Sequence, residues 1–174
     1  MPAVTAIWSA LDEYLPLLAA GTGIAAETVP LLLLLVYVGV AAGGLLGGPA
    51  ARLTTRALAG VMALAAVALA AGAISGLPAG FVLIALAFCA LQASTVTADA
   101  RLQDAITGPA RATVSSLAGF ATELLGVAVF AVYGAGSLIA GDAVLFAGFA
   151  AVYLVIAGAT LCRAGVHVRS DEER

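Results

Sequence analysis

The chain has 174 residues, 63% hydrophobic and 10% charged, with a mean hydropathy of +1.14. Such values lie outside the range of soluble globular domains and describe a polypeptide whose main solvent is lipid. The formal net charge of −3 comes largely from the acidic tail, and no basic patch with interleaved aromatics is present, so nucleic acid is excluded as a partner.

Six apolar segments follow one another, at about Ala3 to Ala20, Thr28 to Gly47, Ala57 to Ile74, Ala79 to Ala98, Thr113 to Ala135 and Ala143 to Leu161. Short breaks rich in glycine separate them: Gly21-Thr22-Gly23, Gly76-Leu77-Pro78, and the run from Gly136 to Asp142. Connections this short require consecutive helices to run antiparallel. The sequence therefore predicts an all-α integral membrane protein of about six transmembrane helices, a bundle over 1–163 followed by a charged cytoplasmic tail over 164–174.

The first segment is the least apolar of the six. Asp12 and Glu13 lie near its centre, where each costs about 2.5–3.5 kcal/mol on insertion scales, and its leucines and valines return only about 2–4 kcal/mol. Pro16 weakens its backbone hydrogen bonding further. It is expected to stay in place by packing against the other helices, its acids turned to protein or water. Ala19-Ala20-Gly21 resembles a signal cleavage site, but the segment lacks a positive leader and carries two acids, so it is expected to remain in the mature protein.

Successive helical positions are about 100° apart, so Asp12 and Glu13 point in different directions, one toward the interior and one toward an interface or loop. Trp8 and Asp12, at i and i+4, share a face and pair an aromatic platform with a carboxylate. That pair suits a cationic or amphipathic ligand; placement of Asp12, Glu13 and Tyr14 at the outer interface is the alternative.

The second segment has the clearest span. Val29 to Leu46 contains no acidic or basic residue, and its Leu and Val residues together favour insertion by about 3–6 kcal/mol. Gly39, Gly43 and Gly47 recur at four-residue spacing and let another helix approach closely, either within the chain or across a dimer face. Gln92 in the fourth segment and Glu123 at mid-depth in the fifth are the remaining polar candidates. A carboxyl at the depth of Glu123 could take up and release a proton, as a proton-coupled carrier requires; tying helices together is its structural alternative. Ser94, Thr95 and Thr97 can bond their own backbone.

The arginines orient the chain, since it contains no lysine. Arg52 and Arg56 follow the second segment, Arg101 and Arg111 the fourth, and Arg163, Arg169 and Arg174 the sixth. All fall on one side, which the positive-inside rule makes cytoplasmic, with both termini there. Cys89 and Cys162 lie in apolar runs without ligand spacing, so neither a disulfide nor a metal is expected. His167 reads as a solvated tail residue. No nucleophile, base and orienting group can be assembled, no phosphate loop is present, and the sequence points to no enzyme and no cofactor.

After the second segment, Gly47-Gly48-Pro49-Ala50-Ala51-Arg52-Leu53-Thr54-Thr55-Arg56 resembles the cytoplasmic loop signature of the major facilitator superfamily, Gly-x-Leu-Ala-Asp-Arg-x-Gly-Arg-Arg. Gly47, Ala50, Arg52 and Arg56 match; Ala51 replaces the signature acid and Thr54 the glycine. Arg111-Ala112-Thr113-Val114-Ser115-Ser116-Leu117 is similar to the entry of the penultimate helix in these carriers, and Asp12-Glu13-Tyr14-Leu15-Pro16-Leu17 to the seventh helix of some members. The likeness covers nearly the whole chain as the C-terminal half of such a transporter. It implies two inverted three-helix repeats, alternating access around a substrate cavity at the midplane, and a partner that is a second copy or a separate six-helix half. Efflux of small amphipathic compounds across the plasma membrane is the family-level expectation. A truncated inactive product of a longer gene, to which the short first segment and the Met1-Pro2 start would conform, and a non-transporting membrane subunit or scaffold are the rival classes.

Overall fold

A computed structural model of the chain describes residues 2–106 and 110–172, with side chains described at all of these except 105, 110, 111 and 163–172. The chain forms helices α1 (Pro2–Ala20), α2 (Val29–Ala50), α3 (Thr55–Ile74), α4 (Gly80–Ala105), α5 (Ala110–Gly136) and α6 (Asp142–Glu172), with one 3-10 turn at Ala26–Thr28 and no strand among the described residues. Five of them, α2 to α6, are long and apolar enough to cross a membrane. The sixth, α1, is not, because Asp12 and Glu13 interrupt its apolar run.

Local chemistry places the ends. Pro30 opens α2 in the first turn, where its missing N–H removes no helical hydrogen bond. The Thr54 hydroxyl caps α3 by accepting from the Ala57 N–H at 3.2 Å. Gly76 has φ +61°, a conformation that side chains disfavour, and so allows the tight α3–α4 reversal.

Two helices overrun their apolar segments. The apolar reading ends the fourth at Ala98, yet α4 continues to Ala105 and carries Asp99 and Arg101 on a helix rather than a loop. Likewise α6 runs on to Glu172, through most of the stretch read as a tail. Hydropathy marks where lipid ends, whereas the backbone stays helical beyond it, in α4 until Ile106 turns extended.

Within the bundle α2 packs on α4, α3 on both α6 and α4, and α1 chiefly on α5, with smaller contacts from α1 to α2, α4 and α6. One cluster unites the interior, including Leu11 and Leu15 of α1, Val36 of α2, Met62 and Leu69 of α3, Phe81 and Phe88 of α4, and Tyr153 of α6. Tyr153 also donates to the Val4 carbonyl at 3.2 Å, fastening α6 to α1. Thus the least insertable helix is held at the centre of contacts, with Val4, Ile7, Leu11, Leu15 and Leu18 all buried.

Glycines set the α2–α4 distance. A Cβ at Gly39 would collide with the Ala85 carbonyl, one at Gly43 with the Cys89 carbonyl, and one at Gly47 with the Val96 side chain, whereas Gly44 and Gly48 face open space. The strip is therefore occupied by this chain's own α4. The Thr97 hydroxyl, 3.2 Å from the Gly47 carbonyl and 2.7 Å from that of Ala93, links the two helices through the gap.

Candidate functional site

The arginine-bearing loops gather at one end. Pro2, Thr55 and Arg101 border a common cavity there, and the Arg101 guanidinium donates to the carbonyls of Leu53 and Ala51 in the α2–α3 turn. Arg52 and Arg56 are exposed at the same end; the Arg111 side chain lies outside the described residues. At the opposite end Leu18, Gly76 and Asp142 border another cavity. The loop signature, Gly47 included, is thus a joint between α2, α3 and α4.

The polar residues at membrane depth divide between two faces of α1. Trp8 and Asp12 share the face toward α4 and α2. The Trp8 indole lies 6.1 Å, centroid to centroid, from the Phe88 ring, tilted by 49°. Gln92 sits one turn beyond Phe88 on α4, half-buried. The Asp12 and Glu13 carboxyls are both near enough to Tyr37 of α2 to act on its phenol electrostatically. Trp8 Nε1 and Asp12 Oδ1 are sealed from solvent, and neither has a hydrogen-bond partner among the described residues. A buried donor and a buried acceptor without partners each cost about 1–3 kcal/mol, so their retention side by side is a departure from ordinary packing.

Glu13 is exposed. One turn before it, Ser9 joins Ala6, Ala10, Thr122, Glu123 and Gly126 around a cleft of about 100 Å³ between α1 and α5. Glu123 is itself exposed. Glu123, read from the sequence as a mid-depth carboxyl, lies on α5, the least covered span, 6% buried within the chain against 61% for α4. An apolar segment does not reveal which of its faces the rest of the chain covers.

At the end away from the arginines the α1–α5 seam is closed by aromatic rings. Tyr14 stacks on Tyr133 at 3.6 Å and 6°, and Tyr133 donates to Asp142 Oδ1 at 2.7 Å. The signals were present in the sequence, a tyrosine and an acid nine residues apart across a glycine-containing turn, but their pairing depends on how α5 and α6 meet. In α4, by contrast, the Ser94 and Thr95 hydroxyls donate to their own helix, to Ala90 and Gln92 carbonyls at 2.8 and 2.9 Å.

Among the described residues, then, α1 is an acidic helix between two walls: a sealed aromatic one toward α4 and an open, hydroxyl-bearing one toward α5. Comparison with family models, curated proteins and solved structures found no match to the chain.

Proposed function

We propose that the chain moves a small molecule across a membrane by alternating access, as one six-helix half of a proton-coupled carrier of the major facilitator type. The observation that carries this reading is the face formed by α1 and α5, where Ser9, Thr122 and Glu123 stand around an open cleft at the depth of the apolar spans. Lipid is a poor neighbour for a carboxyl, which costs kilocalories at that depth. Water, substrate or a second bundle is the neighbour that suits it.

The packing pattern adds support for two inverted three-helix repeats. Exchanging α1, α2 and α3 with α4, α5 and α6 turns the α2–α4 contact into α5–α1 and maps α3–α6 onto itself. The exchange also relates α3–α4 to α6–α1, although the first of these is much the more extensive. In this reading α1 and α5 line one wall of the substrate path, and Trp8, Asp12, Glu13, Gln92 and Glu123 supply its polar groups. A single bundle gives only one wall, so transport requires a second copy or a separate half. Orientation follows the arginine end, which faces the cytoplasm of a plasma-membrane protein.

The test is uptake of an amphipathic dye into proteoliposomes under an imposed pH gradient, with crosslinking in the same vesicles. Proton-dependent uptake is expected only where a dimer or a supplied partner half is present, and Glu123→Gln is expected to abolish its pH dependence while leaving helical content unchanged. Uptake by a preparation that crosslinks solely as monomer would overturn the requirement for a partner. No uptake under any pairing favours a membrane scaffold.

A further inference from the structure

At the arginine end, α1, α4 and α5 diverge around a cavity of about 260 Å³ that the sequence does not announce. Its wall differs from the rest of the bundle: Thr5 comes from α1, Asp99 and Gln103 one turn apart from α4, and Ser115, Gly119 and Thr122 from α5. It exists because α4 continues as a helix beyond its apolar run, which carries Asp99 and Gln103 alongside the first turns of α5. Asp99 is the only charged side chain lining it among the described residues, and a carboxylate accepts hydrogen bonds without donating. Thr122 gives its hydroxyl hydrogen to the Ala118 carbonyl at 3.0 Å, so toward the cavity its oxygen accepts. Arg101, two residues along α4, is committed elsewhere, to the Leu53 and Ala51 carbonyls, and lines a different cavity.

We propose that this cavity binds a small organic monocation, a primary ammonium or guanidinium, with its charged head on the Asp99 carboxylate and its carbon body beside Gly119. The wall offers a negative charge and acceptor oxygens, the complement of a cationic head that carries several donors. An exposed ion pair alone contributes little; the hydroxyl oxygens of Ser115 and Thr122 add acceptors for the same cationic head. At about 260 Å³ the space falls just below the roughly 300–1,000 Å³ of drug-sized sites, so the ligand is a small amine rather than a bulky amphipath. The site does not rest on the transport reading, since it would exist equally in a scaffold.

Isothermal titration of the full chain in detergent, with butylammonium chloride, butanol and sodium butyrate as probes, tests this. Saturable binding of butylammonium is expected, at least tenfold tighter than butanol, with none for butyrate. Asp99→Asn should weaken butylammonium at least tenfold. As a second variant, Gly119→Met adds a side chain at the cavity wall, where a Cβ meets nothing within 4 Å; it should weaken binding at an unchanged thermal midpoint. Equal binding of butylammonium and butanol, non-saturable uptake, or wild-type affinity in either variant overturns the site.

Discussion

The seam between α2 and α4 and the seam between α1 and α5 are built on opposite terms. The first brings backbones together, with Gly39, Gly43 and Gly47 against α4 and the Thr97 hydroxyl joining the helices. The second keeps helices apart around hydroxyls and a carboxylate, and aromatic rings close it only at one end. In lipid, where apolar helices gain nothing hydrophobic by meeting, close packing and interhelical hydrogen bonds decide which contacts are permanent. Where the second seam lacks both, around Ser9 and Glu123, room is left for something else to fill.

Substitutions can break or sharpen that contrast. Gly43→Val should damage most, since its Cβ would strike the Cys89 backbone and overpacking against an unyielding carbonyl reaches about 3 kcal/mol or more; thermal unfolding in detergent is expected to show loss of the folded state. Tyr133→Phe removes the hydrogen bond to Asp142 and should lower stability by about 1 kcal/mol, while loosening the α1–α5 seam enough to raise amide exchange at the end of α5. Thr97→Val loosens the closed seam instead, by about 0.6 kcal/mol, the average for such bonds within membranes. Gly126→Ala in the open cleft should cause no loss at all, because an added Cβ there meets nothing within 4 Å. If Gly126→Ala and Gly43→Val proved equally damaging, the distinction between the seams would fail.

Much of this was legible in the residues. Segment number, antiparallel order and the gathering of Arg52, Arg56 and Arg101 follow from hydropathy and charge, because insertion energy depends on composition alone. The division of Asp12 from Glu13 also follows, from helical geometry. What did not follow was which partner each face would meet. The Gly39, Gly43 and Gly47 strip suited an internal seam first and a dimer face second, but its partner helix, α4, was not legible. The depth of Glu123 followed from its segment, but that α5 is the least covered span did not. The helical extension carrying Asp99 was hidden for a different reason: hydropathy falls to the polar range at the membrane surface whether or not the backbone goes on coiling.

The chain contains a single tryptophan, and it is Trp8, whose indole nitrogen is sealed at the crossing of α1 with the Phe88 face of α4. The molecule therefore carries its own optical gauge, placed where an acidic helix meets its aromatic wall. Emission from an indole that is dry and lacks an acceptor lies to the blue. Any rocking of α1 that admits water or offers its N–H an acceptor would redden it, with no label attached and no other fluorophore of its kind to confuse the signal.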